Sequence, residues 1–250
     1  MVLAAGLGTR LRPLTNDRPK ALVELSGRTL LEITLLRLRA FGIREVIVNV
    51  HHFADLVTAF LKTHDNFDMR VEVSREDVLL DTGGGLKKAG WFFQEKSGHS
   101  PGSQANEPFL LHNVDVISNI DFAKMLQAHR DSKSLVTLAV QKRESSRQLL
   151  FNDDMRLCGR RAEKEKEPEI VCPAATLDPL AFTGIHIISP RLLSLMQEDG
   201  AFSIIDCYLR LAAAGEKITA FRADEYHWRD LGKPADLQRA AQDVESKMVF

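Results

Sequence analysis

The run Gly6-Leu7-Gly8-Thr9-Arg10, followed by Arg12-Pro13-Leu14-Thr15 and Pro19-Lys20, is equipped to hold a polyphosphate. Glycines let backbone N–H groups turn inward around an anion, because no Cβ blocks the approach. Arg10 brings a planar fork that matches phosphate oxygens, and Lys20 brings a point charge. Arg12 is either a second phosphate contact or a brace for the loop. The run lacks the Gly-Lys-Ser/Thr of a Walker loop, and Leu11 stands where a dinucleotide fingerprint places its third glycine. A nicotinamide-dependent oxidoreductase is therefore disfavoured.

Two carboxylates extend the case. Asp115 follows the apolar run Pro108–Asn113, and Asp230 sits in Trp228-Arg229-Asp230-Leu231-Gly232. Taken alone, an aspartate after a strand is most often a cap or turn residue, but magnesium takes a few carboxylates and completes its shell with phosphate oxygens and water. His51, His52 and Asp55 also invite a metal reading, but no third strong ligand lies nearby, and a strand-end turn explains them better.

These stretches together resemble the signature of the nucleoside-triphosphate:sugar-1-phosphate nucleotidyltransferases. Leu80-Asp81-Thr82-Gly83-Gly84-Gly85, Asn113-Val114-Asp115, Phe182-Thr183-Gly184-Ile185 and the Trp228 motif fall where such an enzyme would place them. The Thr-Gly-Gly-Gly run and the length most resemble N-acetylmuramate-1-phosphate uridylyltransferases, and then mannose-1-phosphate guanylyltransferases. The resemblance implies nucleotide contacts at Leu3, Ala5, Gly6, Gly8, Thr9, Arg10, Thr82, Gly83, Gly84 and Asn113. It implies sugar-phosphate contacts at Lys20 and Gly184, a catalytic set of Arg10, Lys20 and Asp115, and metal binding by Asp115 and Asp230. Val114 replaces the family's usual glycine, so that turn is expected to have ordinary backbone or a changed shape. The family's Glu-Lys-Pro element has only a superficial match in Glu163-Lys164-Glu165-Lys166-Glu167-Pro168, and that contact is not carried over.

The implied activity is transfer of a nucleoside monophosphate from an NTP to a sugar 1-phosphate with release of pyrophosphate. UTP and a hexosamine-type sugar are the first choice, and guanylyl transfer to mannose 1-phosphate is the alternative. A catalytically silent nucleotide-sugar-binding protein of the same fold is the rival from another class.

Bulk composition sets bounds on this reading. The 250 residues are 44% hydrophobic and 27% charged, with a net charge of −1, ordinary for a globular domain and without the basic excess of a nucleic-acid binder. Three dispersed cysteines form no C-x-x-C pair, and no apolar run reaches bilayer length. No nucleic acid, no membrane and a cytoplasmic location are expected; the oligomeric state is left open. Relatives carry a few residues before the first strand, whereas here it begins at Met1, so its start is expected to be frayed or cut short.

The elements that must position these residues alternate. Strands are expected over 1–5, 46–50, 70–74, 108–113, 135–141, 181–188 and 218–221. Helices are expected over 28–41, 54–61, 86–93, 122–129, 191–196, 204–214 and 234–244. The stretch 94–108 reads as a surface loop, and 143–172 has no legible pattern beyond a solvated charge run. This alternation implies a single α/β domain with a doubly wound, mostly parallel, Rossmann-like sheet flanked by helices. Residues 1–115 would form the nucleotide half and 116–250 the sugar-phosphate half. Ligands in such sheets bind beyond the carboxyl ends of the strands, which would bring the glycine turn and Asp115 to one edge.

Overall fold

Val46, Val48 and Val50 alternate with Ile47, and all four are buried. A strand apolar on both faces must be covered on both, and that requirement sets the architecture. The computed structural model describes residues 1–94, 107–162 and 167–245. In chain order the elements are β1 (Val2–Leu3), β2 (Glu24–Leu25), β3 (Arg28–Thr29), α1 (Leu30–Ala40), β4 (Glu45–Val50), α2 (Ala54–Thr63) and β5 (Arg70–Arg75). Next come α3 (Asp81–Lys88), α4 (Trp91–Gln94), β6 (Phe109–Asn113), β7 (Val116–Ser118), α5 (Phe122–Ser132), β8 (Val136–Gln141), β9 (Arg147–Phe151) and β10 (Leu157–Ala162). The chain closes with β11 (Glu169–Ile170), β12 (Asp178–Ile188), α6 (Arg191–Leu195), α7 (Ile204–Ala213), β13 (Ile218–Arg222), β14 (Trp228–Asp230) and α8 (Pro234–Glu245).

The central sheet runs β5-β4-β1-β6-β12-β8-β13. Six of these strands point the same way and β12 alone is reversed, pairing antiparallel with both β6 and β8. The fold is thus α/β with a mixed, largely parallel central sheet, as the alternation of elements implies. Val46, Val48, Val50 and Leu110 pack with α1, α2, α5 and α8. Ile47 and Leu111, pointing the other way, pack with α3, α4, α6 and α7. Period-2 alternation therefore splits one sheet between two apolar layers.

The helix starts have local causes. The Thr29 hydroxyl accepts from the Glu32 N–H to cap α1, and the Asp121 carboxylate caps α5 through the Ala123 and Lys124 N–H groups. Among the described residues no helix is long and apolar enough to cross a membrane. Cys158 and Cys207 are buried and Cys172 is half-buried, all as free thiols.

Three places differ from the sequence expectation. The first strand is confined to Val2–Leu3, and its start is anchored by the Met1 ammonium donating to the Leu110 carbonyl at 2.7 Å. The helix expected after the triple glycine begins five residues earlier, at Asp81, so Gly83, Gly84 and Gly85 lie inside α3. Packing overrides propensity there. A Cβ at Gly83 would strike the Phe202 ring, one at Gly84 the Gly200 carbonyl, and one at Gly85 would come within 2.6 Å of Asn49 Nδ2. The third difference is the stretch 143–172, whose described residues hold β9, β10 and β11, an antiparallel extension joined to the first residues of β12. Most of the loop expected over 94–108 and residues 163–166 of the charge run Glu163–Glu169 fall outside the described residues.

Candidate active site

The site lies beyond the carboxyl ends of β1 and β6, which are paired in parallel with Leu3 beside Asn113. After Leu3 the chain turns through Ala4–Gly8 into a short 3-10 turn at Thr9–Leu11. Gly8 takes φ +63°, and its carbonyl accepts from the Thr15 hydroxyl at 2.9 Å. A buried pair supports this loop from behind. Asn49 Oδ1 accepts from the Ala4 N–H at 2.7 Å, and Asn49 Nδ2 donates to Glu76 Oε1 at 2.7 Å. Glu76 Oε2 then accepts from the Leu80 N–H at 3.0 Å, tying the start of α3 to the same frame. Sequence reasoning missed both residues. The available signal was a lone amide in the apolar run Val46–Val50, since a buried polar group needs a partner.

Two cavities open here. The smaller, about 560 Å³, includes Leu3, Ala5, Gly6, Lys20 and Thr82 in its lining. The larger, about 1260 Å³, includes Arg143, Gly184, Trp228 and Asp230. Asn113 and Asp115 line both, so they form the common wall.

The charged groups meet at this wall. Lys20 Nζ pairs with Asp115 Oδ2, both side chains being mostly shielded from solvent. The Asp115 carbonyl accepts from the Leu231 N–H at 2.8 Å, and Asp230 stands opposite Val116 in the β7–β14 pair. The strand ends carrying the two aspartates are therefore adjacent. Asp230 Oδ1 accepts from the Gly232 N–H at 2.6 Å. A Cβ at Gly232 would collide with the Arg10 guanidinium and sit 2.7 Å from Asp230 Oδ1, so Arg10 and Asp230 are neighbours across that glycine.

Not every residue singled out in the sequence reaches a cavity wall. Gly83 and Gly84 are buried behind the smaller cavity, where they seat α3 against Phe202 and Gly200. Thr9 opens the 3-10 turn, Gly8 backs onto Lys20 Cβ and the Arg10 guanidinium lies against Gly232; none of the three lines either cavity. Thr82 lines the smaller one, and its hydroxyl accepts from the Ile204 N–H at 2.9 Å, joining α3 to the start of α7. Val114 keeps negative φ and points its side chain into the core, the ordinary-backbone outcome. Gly184 takes φ +81° with Asn113 against its bare Cα, so the sheet needs a glycine there. His51 Nδ1 binds the Glu76 carbonyl at 2.9 Å, and Asp55 pairs with Arg75.

Beneath the wall, His112 is buried and its Nδ1 donates to the Asn113 carbonyl at 2.8 Å. Burial pushes its pKa down to about 4, so the ring is neutral at pH 7. In the larger cavity Arg143, which sequence reasoning passed over, lies with its guanidinium 3.9 Å from the Trp228 ring centre. Trp228 is fixed by Nε1 donating to the Thr183 carbonyl at 2.8 Å. The arrangement sets two cavities side by side, with the Lys20–Asp115 pair at their common wall and further cations in the larger one.

Comparison with known proteins gives the family. The Nucleotidyl transferase family model matches residues 1–247, and the chain belongs to that family. It is 35% identical to the N-acetylmuramate alpha-1-phosphate uridylyltransferase of Caulobacter vibrioides, over 98% of this chain and 97% of that protein. It is 28% identical to the mannose-1-phosphate guanylyltransferase of Mycobacterium tuberculosis, over 98% of this chain but 64% of that longer protein. Among solved structures, HddC from Yersinia pseudotuberculosis complexed with GMP-PN superposes with a TM-score of 0.72 at 22% identity, over 97% of both chains. The inositol-1-phosphate CTP transferase from T. maritima gives 0.70 at 18% identity, over 98% of this chain and 94% of that one.

Proposed function

We propose that this chain transfers a nucleoside monophosphate from an NTP to a sugar 1-phosphate, releasing pyrophosphate and leaving an NDP-sugar. The observation that carries this reading is the pair of cavities sharing Asn113 and Asp115 as one wall, with Lys20 on Asp115 and Arg10 beside Asp230. Residues 1–115 shape the nucleotide side. Residues 116–250 supply most of the acceptor side. UTP and a hexosamine-type acceptor are favoured, because a relative that matches over nearly its whole length is a uridylyltransferase.

The chemistry asks for position and charge more than for proton transfer, since a sugar phosphate is already an anionic nucleophile. Backbone groups of Leu3–Gly6 hold the nucleotide so that its α-phosphorus faces the common wall. Arg10 takes the β- and γ-phosphates, which depart together as pyrophosphate. Lys20 moves between Asp115 and the α-phosphate as charge grows there. The acceptor oxygen approaches from the larger cavity, in line with the leaving group. Asp115 and Asp230 fit Mg²⁺: two carboxylates line one cleft, Lys20 engages only Oδ2 of Asp115, and phosphate oxygens would complete the shell. The ion, when bound, would screen the two substrates from each other and polarise the α-phosphate.

The test is a pyrophosphate-release assay with each NTP against a panel of sugar 1-phosphates, with Mg²⁺ and with excess EDTA. Release that depends on both substrates and stops on chelation is expected. No pyrophosphate from any pair refutes the enzyme, and NDP-sugar binding without turnover would mark a silent binding protein. Release unaffected by EDTA refutes the metal role.

A further inference from the structure

Arg143 is the cation in the larger cavity whose environment calls for another group. Its guanidinium lies over Trp228, Nη2 donates to the Phe182 carbonyl at 3.1 Å, and Nη1 makes a long 3.4 Å bond to the Glu144 carbonyl. The Nε is buried without a hydrogen-bond partner among the described residues. Two carbonyls leave one N–H on each terminal nitrogen unused, because a guanidinium carries five donors. No carboxylate among the described residues hydrogen-bonds it. Burial pulls its pKa below the ordinary arginine value, with Asp230 as the opposing charge.

Other arginines show what a merely structural cation looks like. Arg160, in the same cleft, is ion-paired with Asp206 and with Glu169. Arg161 donates to Gln148 Oε1 at 2.6 Å. Arg37 also has a buried, unpartnered Nε and lies over Phe41 and Phe122, but it lines neither cavity. Arg143 combines the fixed ring, unused N–H donors with no carboxylate hydrogen-bonded to them among the described residues, and a place on the cleft wall with Gly184 and Asp230. Asp230 offsets part of the charge at a distance, but buried guanidinium donors left without an acceptor are costly unless a ligand supplies one.

We propose that Arg143 is the residue that receives an oxyanion of the acceptor sugar phosphate. This rests on the transferase reading for the identity of the ligand. The stacked plane of Trp228 fixes the fork in one orientation, and bidentate recognition of a phosphate or carboxylate needs that orientation. The shared chemistry has two sources: the anomeric phosphate carried by every acceptor, or a carboxylate carried only by an acidic sugar.

The test compares wild type with Arg143→Met and Arg143→Lys, using N-acetylglucosamine 1-phosphate and N-acetylmuramate 1-phosphate as probes. Calorimetry measures affinity for each probe without nucleotide, so the result stands even if no turnover is found. Arg143→Met is expected to weaken binding by about 10- to 100-fold, the scale of a lost charged hydrogen bond, and Arg143→Lys by less. Equal loss for both probes assigns the phosphate, and loss confined to the muramate probe assigns the carboxylate. In turnover the acceptor KM should rise while the NTP KM and kcat hold within about threefold, a split that a general packing defect would not produce. Arg161→Met, on the same wall but exposed, where water meets its free donors, should change affinity less than about twofold. Unchanged affinity in Arg143→Met, or no binding of either probe to wild type, overturns the assignment.

Discussion

On the β1 side of the cleft, the backbone shapes the site. Leu3–Gly6 line the smaller cavity, and the loop is held by the Asn49–Glu76 pair behind it and by Thr15 on Gly8. On the β12 side, side chains from separate strands do the shaping. Arg143 follows β8, Trp228 and Asp230 come from β14, and Gly184 breaks the β12–β8 register between Phe182 and His186. The first construction suits a triphosphate, whose geometry is the same in every NTP. The second suits an acceptor that differs between enzymes, because a strand-end side chain can change without rebuilding the loop. The common wall at Asn113 and Asp115 belongs to neither style alone.

That contrast makes Asp115 the most severe point of failure. Asp115→Asn keeps the shape and removes the charge that both cavities share. We expect kcat to fall by about 10³- to 10⁴-fold, equivalent to about 4–5 kcal/mol of transition-state stabilisation. Affinity for each substrate measured alone should change far less. The fold should survive, because the asparagine amide keeps the side chain's shape and an oxygen that can still accept from the Lys20 ammonium. A variant with wild-type kcat would show that the shared wall is only a partition. A variant that lost one affinity and kept the other would assign Asp115 to one cavity.

The same contrast explains how much could be read from the chain. The loop side is contiguous: glycines, Arg10 and Lys20 stand within fifteen residues, and their types state their chemistry. Asp115 and Asp230 were legible because each follows an apolar run or sits in a distinctive motif. Short apolar runs and period-3.6 patterns revealed most strands and helices for the same reason, as with Val46–Val50 and Leu31-Leu35-Leu38. Arg143 was not legible, because an arginine after a strand looks solvated until Trp228, 85 positions away, is folded onto it. The Asn49–Glu76 pair was hidden in the same way. The early start of α3 was missed because glycine argues against helix, and only Phe202, Gly200 and Asn49 show why glycine is required there. β9 and β10 escaped detection because Arg147 and Gln148 in one and Gly159, Arg160 and Arg161 in the other leave only short apolar stretches, and Arg160 pairs with Asp206 far along the chain.

The seam between the two sides offers a second test. His112 on β6 and His186 on β12 lie on adjacent strands but face opposite layers. His112 meets Phe122 of α5, and His186 shares a hydrogen bond with Tyr208 of α7 at 2.9 Å. Burial lowers their pKa values to about 4 and about 3, from 6.5 in the unfolded chain. At pH 7 both are neutral whether folded or not, and stability is full. As pH falls below about 6.5 the unfolded chain binds protons that the folded chain cannot, so stability drops until the folded rings themselves titrate. Between pH 6.5 and 5 each ring should cost about 2 kcal/mol, and together they should lower Tm by roughly 10 °C. One cooperative transition is expected, since the seam joins both sides into one sheet. A flat Tm over this interval would mean that the rings are not held neutral, and two separate melts would mean that the two sides fold apart.

The finest test pairs two glycines that do the same job on opposite sides. Gly8 and Gly184 both have positive φ, where an alanine costs about 1–2 kcal/mol in backbone strain. Their neighbours differ. A Cβ at Gly8 would sit 3.0 Å from Thr15 Cγ2 and 3.1 Å from Lys20 Cβ, so it presses on the phosphate side. A Cβ at Gly184 would sit 2.7 Å from Asn113 Nδ2 and 3.2 Å from Val116 Cγ2, so it presses into the common wall from the acceptor side. Both alanine variants should therefore lose similar stability, about 2 kcal/mol by denaturant titration, yet diverge in kinetics. Gly8→Ala should raise the NTP KM by several-fold with little change for the acceptor, and Gly184→Ala should do the reverse. Matching strain with opposite KM effects is what two sides meeting at Asn113 and Asp115 require. If both variants shifted the two KM values in parallel, the cavities would be one undivided site, and the assignment of a separate substrate to each would fail.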